Sequence, residues 1–175
     1  NKKLCVIRIN PGMAFGTGLH PTTQMCLQLI SSLPLSNKNV IDFGCGSGIL
    51  GIACAIKGAK SVTFIDNDLV ALGIARENIM KNSCQEVEHK ITSALTKSSK
   101  KADYIFANIL LNPLKNMAKT INSKVKSRGQ VFLSGILIDQ VESLLKSYEE
   151  HTEKKLIKIV ELHMQQWACV QITYT

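Results

Sequence analysis

The chain has 175 residues, 45% hydrophobic and 19% charged, with 21 Lys and Arg against 13 Asp and Glu for a formal net charge of +8. That length suits one domain, and the apolar share excludes a disordered chain. No apolar run approaches the roughly 20 residues of a membrane-spanning helix, and residues 1–10 (NKKLCVIRIN) lack the apolar block and cleavage site of a secretory signal.

The chain begins at Asn1 rather than Met, so it is expected to be part of a longer polypeptide. Residues 1–38 are expected to hold a strand, a glycine-rich flap and a first helix, and residues 39–175 the core of a single domain. Residues 11–23 read PGMAFGTGLHPTT. This stretch is too rich in glycine, and at Met13–Phe15 too apolar, for an idle surface turn. A flexible flap with Phe15 shielding a ligand from water fits it better. Pro21 suits the first turn of a helix. Residues 40–43 form a short apolar strand that ends at glycines, and 48–57 a helix that stops at Gly58. Residues 61–66 (SVTFID) are β-branched and aromatic, hence strand-like. Asp68 caps a helix to about Asn82, with Leu69, Leu72, Ala75 and Ile79 on one stripe. A weak strand over 87–92 and a strong one over 103–107 (DYIFA) follow. Asn112-Pro113 opens a helix to about Lys126, residues 130–134 form a strand, and 139–149 an amphipathic helix.

Strands alternating with helices predict an α/β, Rossmann-like fold: a mostly parallel seven-stranded sheet with helices on both faces. The last two runs, 155–163 and 167–174, lie too close together for a crossover helix and must pair antiparallel. Nicotinamide-binding domains do not usually end that way; methyltransferases that use S-adenosylmethionine do.

The most informative motif is VIDFGCGSG at 40–48. Glycines let the chain turn sharply and a ligand come close, and the helix start presents unpaired N–H groups. Gly46, Gly48 and Gly51 also fit the nicotinamide spacing, with Asp66 about 20 residues on. Two details favour a methyl donor. Asp42 suits the cationic amino-acid end of S-adenosylmethionine and would be unhelpful beside a pyrophosphate. The cluster Gly44, Gly46, Gly48 has the spacing that donor's binders use. Asp66, ending the next strand, can accept from both ribose hydroxyls. The adenine edge is expected near Ser93 and Ala94. Asn108, after the DYIFA strand, carries a donor and an acceptor that can orient an incoming amine.

Other residues read more plainly. Cys5, Cys26, Cys45, Cys54, Cys84 and Cys169 contain no C-x-x-C pair, so no metal site is expected, and reduced, largely buried thiols in the cytoplasm are. Lys115, Lys119, Lys124, Lys126 and Arg128 read as a solvated helix face or as a footprint for RNA or a ribosomal surface. His20 is read as structural before catalytic, and Trp167 as core packing. His89, His151 and His163 have no evident partner.

Taken together, PGMAFGTGLHPTTQMCL, VIDFGCGSGILGIA, DNDLVALGIARENIMKN, ANILLNPL and LSGIL resemble the catalytic domain of the ribosomal protein L11 methyltransferase family, in the family's order and over nearly the whole chain. The FGTG-x-HPTT element is far more specific than the glycine turn, which all class I methyltransferases share. The resemblance implies N-methylation of lysine side chains or the α-amine of a ribosomal protein, with S-adenosylmethionine as cofactor. Family contacts carry over to Thr23, Gly44, Asp66 and Asn108, with Phe15 and the FGTG loop nearby. The candidate cofactor-binding set is Phe15, Thr17, Thr23, Asp42, Gly44, Cys45, Gly46, Gly48, Asp66, Asn67, Ser93 and Asn108, with Asn108 also positioning the substrate amine. Three departures stand out. Leu19 replaces the family's usual threonine, Gly51 its usual alanine, and the bacterial N-terminal domain that recruits the ribosomal substrate is absent, either trimmed or naturally lacking. The expected partner is a ribosomal protein, with nucleic acid possible but not required, no membrane, and a monomeric state. The alternatives are an RNA or DNA methyltransferase, favoured by the charge, and a stand-alone relative with another protein target. Against the first, residues 108–111 are Asn-Ile-Leu-Leu and lack the N/D-P-P-Y/F element that stacks an extruded base.

Overall fold

A computed structural model describes residues 6–10, 16–82, 84, 87–96, 99–153 and 156–175. These residues form a seven-stranded sheet of β1 (Asn39–Phe43), β2 (Ser61–Ile65), β3 (Glu88–Thr92), β4 (Ala102–Asn108), β5 (Val125–Leu137), β6 (Leu156–Met164) and β7 (Trp167–Tyr174), in the order β3-β2-β1-β4-β5-β7-β6. The first five strands pair in parallel, and β7 runs antiparallel between β5 and β6. The expected α/β architecture is present, hairpin included. Its helices are α1 (Pro21–Ser32), α2 (Ile49–Ile56), α3 (Leu69–Lys81), α4 (Leu111–Asn116), α5 (Ala118–Lys124) and α6 (Val141–Glu150).

Strand alternation sorts the core into two layers. Tyr104 and Phe106 of β4 join Met25, Ile52 and Ile79 of α1, α2 and α3. Ile105 and Ala107 join Leu114, Ile121 and Leu144 of α4, α5 and α6. Phe106 stacks on Phe132 of β5 with ring centroids 4.5 Å apart.

Four expectations change. Residues 6–10 belong to no strand, and the start of the segment expected to hold one lies outside the described residues; the backbones of Arg8 and Asn10 are paired instead with the side chains of Asn82, the C-cap of α3, and of Asn78 within it. The single helix expected from Asn112 breaks at Met117 into α4 and α5, and its N-cap is Leu110, so Asn112 lies inside the first turn. Strand β5 is 13 residues long rather than five, because Ala102 pairs with Val125 at one end and Trp167 with Leu137 at the other. Of the basic stretch, Lys124 is buried and donates to the Thr96 and Ser99 carbonyls at 2.8 and 3.0 Å, and Lys126 pairs with Asp103 at 2.8 Å. Those two cations serve the fold and are not free for a partner.

The Gly51 departure has a packing reason. A Cβ there would overlap the Phe64 ring of β2. Gly51→Ala should therefore cost about 1–3 kcal/mol, measured by urea unfolding, and Phe64→Leu in the same chain should restore part of it. Additive losses in the double variant would contradict this packing.

Candidate active site

The order of the strands places the site. The chain leaves β1 toward one edge of the sheet and β4 toward the other, while β1 and β4 lie side by side with Phe43 opposite Ala107. A crevice opens outside their carboxyl ends, as in other open α/β sheets. Here it is a cleft of about 960 Å³, at the upper end of small-molecule sites.

One wall is the loop after β4. The Ile109 N–H donates to the Ser134 carbonyl at 3.1 Å. Ile109 lies between two glycines of positive φ, Gly44 at +70° and Gly135 at +87°. A Cβ on Gly44 would overlap the Ile109 side chain, and one on Gly135 would lie 2.5 Å from the Ile109 carbonyl oxygen. The two glycines thereby fix where the preceding Asn108 sits. Asn108 Nδ2 donates to Thr23 Oγ1 at 3.3 Å, which ties this loop to α1. Asn108 Oδ1 is buried and has no hydrogen-bond partner among the described residues. Leaving a buried acceptor unmatched costs about 1–3 kcal/mol, so this atom points to a ligand donor.

The opposite wall carries two carboxylates. Gly48 starts α2 without a capping side chain, and Asp42 of β1 supplies one from the neighbouring strand. Its Oδ2 accepts from the Gly51 N–H, in the first turn, at 2.8 Å. Burial pushes the Asp42 carboxyl up to about 7; the Gly51 N–H opposes that rise and Asp66 adds to it. Asp66 braces the glycine turn. Its Oδ2 accepts from the Gly46 N–H at 2.9 Å and its Oδ1 from the Asp68 N–H at 3.0 Å. Asp68 caps α3 through the Val70 N–H at 2.8 Å, as expected. Cys45 lines the cleft, but burial drives its thiol far above the ordinary range, and Asp42 and Asp66 reinforce this. It is an inert wall and not a nucleophile.

Of the sequence-predicted residues, the cleft brings together Thr23, Asp42, Gly44, Cys45, Gly46, Asp66, Asn67, Ser93 and Asn108. It does not include Thr17, which is exposed with its Oγ1 accepting from the Leu19 N–H, or Gly48, which packs toward Ala75 of α3. Phe15 lies outside the described residues. Trp167, read from sequence as core packing, lines the cleft, with the His20 ring edge-on at 4.8 Å. The signal for it was available. An antiparallel β7 starts at the carboxyl edge of β5, where ligands bind. His20 also lines the cleft while acting as the N-cap of α1, its Nδ1 2.8 Å from Thr22 Oγ1. Pro113, Met117 and Thr120 line it too, and the break at Met117 that brings them there carries no signal in the sequence. Among the described residues no cluster of three or more metal-ligating side chains occurs, and no helix is long and apolar enough to cross a membrane.

Strand order, glycine turn and hairpin define the class I methyltransferase fold. The M. jannaschii TYW2 structure in complex with AdoMet shares it at a TM-score of 0.70 and 19% identity, over 89% of this chain and 76% of that one. The finer assignment comes from sequence. The family profile described as ribosomal protein L11 methyltransferase matches residues 1–175, and the chain belongs to that family. A relative of that name from Shewanella baltica (strain OS185) is 42% identical over 163 residues, covering 91% of this chain and 53% of the relative. The crystal structure of a ribosomal protein L11 methylase from Lactobacillus delbrueckii subsp. bulgaricus superposes with a TM-score of 0.83 at 32% identity, over 96% of this chain and 84% of that one. The chain spans about half the length of the curated relatives it matches.

Proposed function

We propose that this chain is the methyl-transferring part of an S-adenosylmethionine-dependent protein methyltransferase, acting in the cytoplasm on lysine or α-amino groups of ribosomal protein L11. The observation that carries the reading is the unmatched, buried Oδ1 of Asn108, a residue that lines the same cleft as the glycine turn and its two carboxylates. The names of the relatives support the choice of acceptor.

The residues fit the donor. Asp42 offers a negative charge for its cationic amino-acid end. Asp66 offers carboxylate oxygens for ribose hydroxyls, the glycine turn an approach free of side chains, and Ser93 to Leu95 a surface for the adenine. When bound, S-adenosylmethionine supplies a methyl group already activated on a sulfonium sulfur. What remains for the chain is placement and deprotonation of the amine. An amine attacks only when neutral, and a lysine has a reference pKa of about 10.4. The apolar wall of Ile109, Leu110 and Trp167 disfavours the ammonium form. Asn108 Oδ1 accepts an N–H of the amine and aims its lone pair, an orientation effect that supplies much of the rate in such displacements. Water carries the proton away. The His20 Nδ1 is taken up in capping α1.

The test is labelled-methyl transfer into a cell extract, with and without ribosomal proteins, followed by mass spectrometry of the labelled species. Label on an amino group of L11 is expected; label confined to RNA would overturn the reading. Asn108→Ala should lower turnover about tenfold or more, read as initial rate at saturating donor. Full turnover in that variant would remove Asn108 from the mechanism.

A further inference from the structure

Ser47 and Asn78 are fully buried polar residues, and neither lines the cleft. Ser47 sits between Gly46 and Gly48 of the turn. Its Oγ donates to the Gly16 carbonyl at 2.7 Å, and its own carbonyl accepts from Asn78 Nδ2 at 2.9 Å. Asn78 also holds residue 10. Its Oδ1 accepts from the Asn10 N–H at 2.8 Å, and its Nδ2 donates to the Asn10 carbonyl at 3.3 Å. The side-chain amide thus pairs with a backbone peptide as a strand neighbour would. One helical turn on, Asn82 does the same for Arg8, at 2.8 and 2.7 Å, but its further donation goes to the Asn78 carbonyl and not to the turn.

Asparagine is a poor residue for a helix interior, and a buried amide is tolerated only when its donors and acceptor are matched. Asn78 meets that condition by joining three segments that are distant in sequence. The turn is consequently held from several directions: Asp66 on the Gly46 N–H, Asn78 on the Ser47 carbonyl, and Ser47 Oγ on Gly16, which lines the cleft. The chain is thus tied to Ser47 on both sides of residues 11–15, directly at Gly16 and through Asn78 at Asn10.

We infer that Ser47 and Asn78 are positioning residues for the methyl-donor pocket, fixing the glycine turn and the Gly16 wall as one unit; this rests on the donor reading of the cleft. They touch no ligand and act through the backbone of residues 16 and 46–48. Asn82 clamps the same N-terminal segment without touching the turn, and so separates positioning from general stability.

The experiment is calorimetric titration of the full chain with S-adenosylhomocysteine, the demethylated product, alongside urea unfolding. Ser47→Ala should weaken binding about tenfold, the loss of one buried hydrogen bond, and Asn78→Asp, which removes both Nδ2 donations, by at least as much. The double variant should fall well short of the product of the two, because both act on one turn. Asn82→Ala should lower the unfolding midpoint while binding stays within twofold of the native chain. Native-like binding by Ser47→Ala would overturn the inference, as would equal weakening by Asn82→Ala. A native chain that binds neither donor nor product would overturn the donor reading itself, and this inference with it.

Discussion

Binding of S-adenosylmethionine should tighten as pH rises from 6 to 8, by about tenfold in all, and Asp42→Asn should flatten that profile. The cause is the buried carboxyl of Asp42, which burial holds up to about 7. Below that pH it carries a proton and offers a cationic ligand no charge. The ligand therefore has to expel the proton, and binding weakens. At pH 8 the variant should bind about 10- to 100-fold more weakly than the native chain, the range for hydrogen bonds to a charged group.

The same group marks the stability of the ligand-free protein. An unfolded Asp titrates near 3.9, while the folded group titrates near 7. Between those values the native state keeps a proton that the unfolded state has released. Stability from this group is full below about pH 4 and is lost as pH climbs to 7, roughly 4 kcal/mol in all. Urea unfolding of the native chain and of Asp42→Asn at pH 5 and pH 8 isolates it. The native chain should lose more stability over that interval than the variant, and equal losses would remove Asp42 as the cause.

Gly135→Ala should cut turnover about 100-fold, the size of effect a displacement near 1 Å produces. A Cβ at Gly135 would lie 2.5, 2.8 and 3.0 Å from the oxygen, carbon and nitrogen of Ile109. These are backbone atoms and have no rotamer to change. Gly135 is also at φ +87°, and β5 shifts register between Ser134 and Ile136 as it pairs with β7. The Ile109 segment must move, and Asn108 moves with it. Gly58→Ala is the control, since Gly58 has a similar φ of +90° but nothing within 4 Å of an added Cβ. It should lower the melting temperature through backbone strain, about 1 kcal/mol or more, and leave kcat unchanged. Equal activity losses at the two positions would show that strain alone is responsible.

Those two sites differ in how visible they were beforehand. Asp42 was legible because a carboxylate two residues before a glycine cluster has few uses in a tight turn. Its helix-capping bond to Gly51 was not, because that contact depends on β1 lying beside the start of α2. Gly135 within LSGIL gave no hint of its contact, since Ile109 is 26 positions earlier and meets it only through the pairing of β4 with β5. Trp167 lies between these cases. Its direction followed from the antiparallel hairpin, yet its apolar character pointed to the core.

Periodicity and punctuation were enough for the alternation of strands and helices, the two layers of the core, the Asp68 cap and the parallel-to-antiparallel change at the end of the sheet. These are local properties: side-chain spacing of two or 3.6 residues, and glycine or proline at the boundaries. The length of β5, the break at Met117, the burial of Lys124 and the Ser47–Asn78 connection were decided by tertiary structure. Each arises where segments distant in sequence meet, and a residue's own preferences say little about which neighbour will satisfy its last hydrogen bond or fill the space beside it.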